Sequence, residues 1–325
     1  MVQVERRPLV LVTGASGFVG SALCSELNAR GYAVRRALRT GTGGTADDVV
    51  VGNIDGDTNW SAAVAGVDAI VHLAARTHVL DDIAADPLRE YRRINVEGTR
   101  LLAEAAAAAG VPRFVFMSSI KVNGERTHGT AYTEADAPRP EDAYGVTKLE
   151  AEEWLREHAA RRATALVVLR PPLVYGPGVK GNFLRLMKVV HRGVPLPVKS
   201  IRNARSLVYV GNLVDAVLAS LRPEASGTYL VSDGIALSTP ALVAEIAAAL
   251  GREPAMLPFP VTLLELAGRL TGRSSAVSRL TGSLEVDAGR LGRELAWRPP
   301  YTLAQGLAAT AQWYHAQFRA SSRTA

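Results

Sequence analysis

Leu9-Val10-Leu11-Val12-Thr13-Gly14-Ala15-Ser16-Gly17-Phe18-Val19-Gly20 decides how this chain is read. Pro8 to Gly14 is a short apolar run ending in a glycine turn, the pattern of a strand buried on both faces in a parallel sheet. A helical pattern follows from Phe18 to Arg30. Gly14, Gly17 and Gly20 are spaced G-x-x-G-x-x-G where the strand turns into the helix. Bare backbone there can approach a pyrophosphate, and the helix start offers amide donors and a partial positive charge. Gly14, Ser16, Gly17, Phe18, Val19 and Gly20 are therefore candidate contacts for the phosphate bridge of a dinucleotide.

The same alternation continues outward. Strand patterns at Tyr32–Leu38, Asp48–Val51, Ala69–Leu73, Arg113–Met117 and Ala165–Leu169 are separated by helical patterns at Trp60–Ala65, Asp86–Ala109 and Tyr144–Ala160. This rhythm predicts an α/β fold, a doubly wound parallel Rossmann sheet. At Pro171 it breaks: Pro171–Asn182, rich in Pro and Gly, reads as a loop at a domain seam. Leu207–Val210 and Thr228–Val231 read as strands returning to the main sheet around a helix at Val214–Leu221. Helical patterns at Phe183–Arg192, Thr239–Leu250, Val261–Leu270, Ala288–Leu295 and Leu303–Phe318 make a smaller, mostly helical C-terminal lobe. The expected division is 1–174 plus 207–234 for the cofactor domain and 175–206 plus 235–325 for the lobe.

Composition agrees with a globular chain. Of 325 residues, 48% are hydrophobic and 21% charged. No uncharged apolar run approaches the about 18 residues that span a bilayer, and the N-terminus has no signal-peptide pattern. The single cysteine, Cys24, excludes internal disulfides and Cys-based zinc clusters, and a cytoplasmic location is expected. The net charge of +6 rests on 37 basic residues, of which five are lysines and the rest arginines. They are scattered, which speaks against nucleic acid and for an anionic small molecule. Neither a membrane nor a metal is expected; His72 and His78 lack metal-ligand spacing and read as structural.

The second strand bears on the cofactor. Binders of NAD place an acid about 20 residues on, against the adenosine ribose. Here Ala33-Val34-Arg35-Arg36-Ala37-Leu38 ends without an acid, and Arg39 stands just past it. A guanidinium suits a 2′-phosphate, so NADP(H) is favoured, with NAD(H) possible. Asn53 and Ile54, after the third strand, are candidates to flank adenine. Gly41–Thr45 reads as a flexible lip over this pocket.

Tyr144-Gly145-Val146-Thr147-Lys148 opens a helix, and positions i and i+4 share a face. An ammonium beside a phenol is expected to lower the phenol pKa and suit it to proton exchange with an alcohol or carbonyl. Met117-Ser118-Ser119 ends a strand 25 residues earlier, and a serine hydroxyl there can bond the same substrate oxygen.

Together these motifs resemble the extended short-chain dehydrogenase/reductases, the NAD-dependent epimerase/dehydratase family. His72-Leu73-Ala74-Ala75, Asn95-Val96-Glu97-Gly98-Thr99, Leu169–Pro177, Arg205–Val210 and Glu294–Trp297 extend the resemblance to about Tyr314. It implies Ser119, Tyr144 and Lys148 as catalytic residues, with Leu73, Ala74, Ala75 and Pro171 added to the cofactor site. It also implies a UDP-sugar substrate, with Asn182 and Arg205 on the diphosphate and Arg76 and Lys121 in the loops that shape the sugar pocket. Asn95 reads as a structural anchor. Members often dimerise, here through Asn95–Ala109 and Tyr144–Ala160.

The departures narrow the activity. The 4,6-dehydratases of the family carry an Asp-Glu pair just after the catalytic Ser/Thr; this chain has Ile120-Lys121. The wording around Ser119 is similar to proteins of O-antigen and lipopolysaccharide clusters. The favoured expectation is a 4-keto reductase of a UDP-sugar using NADPH, and the alternative is a UDP-sugar 4-epimerase with retained NAD. A non-enzymatic cofactor sensor is remote, because Tyr144 and Lys148 are both kept.

Overall fold

The computed structural model describes residues 6–41, 47–77, 86–162 and 164–321. His78, most of the Gly41–Thr45 lip and the end of the Arg76–Leu80 loop lie outside them. The strands are β1 (Leu9–Thr13), β2 (Ala33–Leu38), β3 (Val49–Val50), β4 (Ala69–His72), β5 (Arg113–Met117), β6 (Ala165–Arg170), β7 (Leu173–Tyr175), β8 (Arg205–Tyr209), β9 (Gly227–Leu230) and β10 (Ala236–Leu237). The helices are α1 (Phe18–Ala29), α2 (Ser61–Val64), α3 (Pro87–Arg92), α4 (Gly98–Ala108), α5 (Ala143–Ala160), α6 (Gly181–His191), α7 (Val210–Ser220), α8 (Thr239–Ala249), α9 (Val261–Leu270), α10 (Ser274–Thr281), α11 (Gly289–Leu295) and α12 (Leu303–Ser321). A π-helical segment, Arg93–Glu97, joins α3 to α4.

Seven strands form one parallel sheet in the order β3-β2-β1-β4-β5-β6-β9. Alternation along each strand feeds two cores. Val10 and Val12 of β1, Val71 of β4, Val115 of β5 and Leu169 of β6 join α1, α7 and α11 on one face. Leu11, Ile70, Phe114, Phe116 and Val168 join α2, α4 and α5 on the other. A fully buried aliphatic side chain contributes about 1.5–3 kcal/mol, so β1 is held from both sides and its C-terminal turn is fixed. The Rossmann-type doubly wound fold is as expected.

Two expectations are corrected. Of the two strands read as returning to the sheet, only β9 does so; β8 belongs to a separate three-stranded sheet, β10-β8-β7. The Pro171–Asn182 stretch contains β7, whose three residues between proline and glycine are too few to show a period. A third core gathers Tyr175, Phe183, Met187, Ile246, Leu307 and Tyr314 in the mostly helical C-terminal region. Helix α10 had no signal in the sequence reading.

Candidate active site

The strand order reverses between β1 and β4, and in open parallel sheets ligands bind beyond the strand C-termini at such a point. Register brings the chemistry there: Thr13 lies opposite His72, His72 opposite Phe116, and Met117 opposite Leu169. The glycine turn, Leu73-Ala74-Ala75, Ser118-Ser119 and Pro171 therefore leave neighbouring strands on one edge.

The glycine turn fits a dinucleotide. Gly14 sits at φ +66, and a Cβ there would be 2.9 Å from the Ala74 nitrogen; a Cβ on Gly20 would be 2.1 Å from the Gly14 carbonyl oxygen. Gly17 caps α1 without a side-chain hydrogen bond. No N-cap side chain, among the described residues, claims its first amides, and Ser16 and Gly17 are exposed at the rim. Bare backbone and unclaimed amides at a helix N-terminus match the donor set a pyrophosphate needs.

Buried polar side chains hold this edge in place. His72, fully buried, has Nδ1 2.7 Å from Thr13 Oγ1 and Nε2 3.0 Å from Thr99 Oγ1. Thr99 donates its hydroxyl proton to the Asn95 carbonyl (2.7 Å), so it accepts from His72 Nε2–H, and Nδ1 accepts from Thr13. Burial, with the Lys148 charge behind it, drives the imidazole pKa down to about 3, so the ring stays neutral. Thr13 Oγ1 in turn accepts from the amides of Leu73 (3.2 Å) and Ala74 (3.1 Å). Asn95, set on the π-helical segment, accepts from the Arg76 amide (2.8 Å) and donates to the Arg76 carbonyl and Thr147 Oγ1, both at 3.1 Å. It is a clasp between the loop after β4 and α5.

Ser119, Tyr144 and Lys148 meet at the end of β5. Ser119 caps a 3-10 turn over Ile120–Val122, its Oγ accepting from the Lys121 amide at 3.3 Å. Tyr144 hydrogen-bonds Ser119. Lys148 Nζ lies 5.9 Å from the Tyr144 ring centre and 4.4 Å from that of Phe116, and donates to the Met117 carbonyl at 2.8 Å. The electrostatics differ from the expectation that Lys148 lowers the Tyr144 pKa. Burial, followed by the Asp142 and Tyr91 charges, holds the phenol above its ordinary value, and only the Ser119 bond pulls the other way. Burial also brings Lys148 down to about 7, opposed by Glu152. The ammonium donates to a backbone carbonyl and is not among the groups that set the shift of the phenol.

Glu152, one helical turn past Lys148, was missed in the sequence. It is fully buried and accepts from Arg170 Nε (2.9 Å) and Nη2 (2.5 Å), from Ser118 Oγ and from Arg156. Arg170 Nη1 donates to Asn123 Oδ1 at 2.9 Å. This network ties α5 to the ends of β5 and β6 directly beneath the trio.

The remaining expected contacts divide. Arg35 donates to the Ala63 and Ala65 carbonyls at 3.0 and 2.6 Å, and Arg36 forks onto Asp48 at 2.7 and 2.5 Å. Arg39 is exposed and, among the described residues, takes no carboxylate partner. Asn53 is exposed and Ile54 half-buried, flanking the end of β3. Pro171 accepts the Ile120 amide at 3.0 Å. Lys121, expected in the loops that shape the sugar pocket, has its ammonium held by Glu125 (2.8 Å) and Asp142. Asp142 also caps α5 through the Gly145 amide at 2.8 Å, so Lys121 fixes the helix start that carries Tyr144. Arg205 opens β8 and bonds the Gly282 carbonyl at 2.9 Å rather than a carboxylate. Burial and nearby Arg279 pull its pKa down, and Glu125 opposes them. Asn182 is exposed in the first turn of α6, and Arg76 is half-buried over the Tyr91 ring.

Residues 10–231 match the NAD dependent epimerase/dehydratase family. The chain belongs to that family. Over 311 residues it is 44% identical to the UDP-glucose 4-epimerase of Vibrio cholerae, covering 93% of this chain and 94% of that protein. It is 31% identical to the N-acetyl-alpha-D-glucosaminyl-diphospho-ditrans,octacis-undecaprenol 4-epimerase of Escherichia coli O157:H7, covering 94% of each. The structure of MoeE5 in complex with UDP-glucuronic acid and NAD superposes with a TM-score of 0.76 at 29% identity, over 95% of this chain and 99% of that one. This family member is thus an enzyme of the extended short-chain dehydrogenase/reductase type. No helix among its described residues is long and apolar enough to cross a membrane.

Proposed function

We propose that this enzyme inverts carbon 4 of a UDP-sugar, as a UDP-sugar 4-epimerase with a retained nicotinamide dinucleotide. The observation that carries carbon-4 chemistry is the Tyr144–Ser119 hydroxyl pair at the C-terminal end of β5, with Lys148 behind it. The choice of epimerase is supported by the end-to-end likeness to the Vibrio cholerae enzyme. Gly14, Ser16, Gly17 and the first amides of α1 would hold the pyrophosphate, with Leu73–Ala75 and Pro171 along the dinucleotide. When bound, the dinucleotide supplies the acceptor and donor of the carbon-4 hydride. Tyr144 must first lose its own proton, which its burial opposes; its Oη then takes the proton of the sugar hydroxyl as the carbonyl forms and returns it as the alcohol reforms. Ser119 Oγ donates to the same oxygen and offsets its developing charge. Lys148 Nζ, already directed to the Met117 carbonyl, would reach the nicotinamide ribose. Arg205 and Asn182 would hold the diphosphate.

A second reading, a 4-keto reductase using NADPH, is favoured by one feature: exposed Arg39 at the end of a β2 that lacks an acid. The test separates them. Protein purified without added cofactor is unfolded and its nucleotide content measured, then native protein is given UDP-glucose or UDP-N-acetylglucosamine. An epimerase releases near-stoichiometric NAD(H) and turns over with nothing added. A reductase arrives empty and consumes NADPH one-for-one with a UDP-4-keto-sugar; failure of both rejects carbon-4 chemistry. We infer further a homodimer through α4 and α5, which a monomeric mass in light scattering at micromolar concentration overturns.

A further inference from the structure

Helix α9 carries two apolar faces and uses one. Val261 and Leu264 lean on the lobe core, and Gly268 is buried against α10, where a Cβ would meet Val277 at 2.7 Å. Leu263, Leu266 and Leu270, spaced i, i+3 and i+7, share another face. Their exposures are 49%, 51% and 80%. Leu257 and Phe259, just before the helix, and Leu280 at the end of α10 extend the exposed apolar surface. Exposed leucines repeating along one helix face mark an interaction site.

Its surroundings are cationic. Across α9 and α10 the exposed charges are Arg269, Arg273 and Arg279 against Glu265. The Leu257–Phe259 segment is strapped to a basic stretch: the Lys199 amide donates to the Leu257 carbonyl at 3.1 Å, and the Phe259 amide to Ser200 Oγ at 3.1 Å. Exposed Lys199 and Arg202, with Asn203 and Ser238, line a polar hollow at the foot of the hairpin.

We propose that the α9–α10 hairpin, with Lys199 and Arg202 beside it, docks this protein on the surface of an anionic phospholipid bilayer. A leucine stripe rimmed by arginines is the pattern of a helix lying in the interface plane, its apolar side chains among the acyl chains and its cations at the phosphates. At ten residues α9 can lie in that plane but cannot span it. A second copy on this face fits poorly, because a two-fold interface would set the arginine rims of both copies against each other. The inference is independent of which sugar the enzyme uses.

Co-sedimentation of the full chain with phosphatidylcholine vesicles, with and without phosphatidylglycerol, tests it. Each cation near an anionic surface adds about fivefold, so the expected preference for the anionic vesicles is at least about tenfold, shrinking in high salt. Leu266→Glu/Leu270→Glu is expected to abolish binding with melting temperature and turnover unchanged, since both side chains are exposed. Lys199→Glu/Arg202→Glu is expected to weaken binding at least about tenfold while the leucines remain. Three results overturn the proposal: wild-type protein left in the supernatant with anionic vesicles, binding that survives the leucine variant, or light scattering in which that variant breaks a dimer held by this face.

Discussion

Glu152→Gln is the most informative substitution beneath the site. Glutamine keeps the shape and removes the charge, leaving Arg170, 3% exposed, without its counter-ion. Removing one member of a buried pair costs about 3–5 kcal/mol, because the survivor remains desolvated and unpaired. Arg156, the other arginine on Glu152, has a side chain 41% exposed and contributes little to that cost. The amide can still accept one bond from Arg170 but must turn its NH2 toward either Arg170 or Ser118, so we expect the lower end, about 3 kcal/mol, in urea unfolding. A second effect reaches the chemistry. Glu152 opposes the burial that brings Lys148 to about 7. Without it the Lys148 pKa falls further, the ammonium fraction at neutral pH drops, and the alkaline limb of the pH–rate profile moves to lower pH. The double variant Glu152→Met/Arg170→Met removes both charges: it is expected to be more stable than Glu152→Gln, since no charge is stranded. A loss below about 1 kcal/mol for Glu152→Gln, with an unmoved alkaline limb, refutes both the pair and its coupling to Lys148.

Other consequences follow from the same geometry. Tyr144→Phe removes the proton carrier and should lower turnover by about 10²–10⁴, while dinucleotide affinity by fluorescence titration stays unchanged. Gly20→Ala must displace the Gly14 carbonyl, and is expected to weaken dinucleotide binding by at least about tenfold in the same titration. His72 takes a proton in the unfolded chain near pH 6.5 but in the folded one only near 3. Stability should therefore fall as pH drops through that window, by roughly 4–5 kcal/mol in all, and a His72→Gln variant should lack that loss in acid denaturation. Arg39→Ala should weaken NADPH by about 10- to 100-fold and leave NADH unchanged; an unchanged ratio of the two dissociation constants removes the case for NADPH.

What was legible in the sequence is what local backbone chemistry demands. The glycine turn announces itself because Gly14 and Gly20 have no room for a Cβ, and β1, β4, β5 and β6 announce themselves because strands buried on both faces read as apolar runs. Pairings across the chain were not legible. Nothing near Lys121 says that Asp142, 21 residues on, will claim its ammonium. The π-helical segment at Arg93–Glu97, which aims Asn95 at the loop after β4, is hidden inside a pattern read with a 3.6-residue period. Glu152 did leave a signal. Tyr144, Lys148 and Glu152 fall at i, i+4 and i+8 on one helical face, and an acid repeating an inward-facing position calls for a buried cation.

The two readings of the activity share every group at the reacting carbon, so the trio cannot separate them. The difference lies at the far end of the dinucleotide. An epimerase gives back the hydride it took and gains from never releasing the cofactor; a reductase ends each cycle with a spent cofactor that must leave. Asp48, just before β3, is neutralised by the fork of Arg36. What then faces solvent past β2 is Arg39, a positive rim that would take a 2′-phosphate without repelling a plain ribose. Such a rim permits NADP without excluding NAD. Retention of the dinucleotide would then rest on the pyrophosphate turn and on the Lys148 ammonium proposed for the ribose, which the Met117 carbonyl holds. Glu152, in the buried network beneath the trio, acts on that ammonium through its charge, even though no part of the network need touch the sugar.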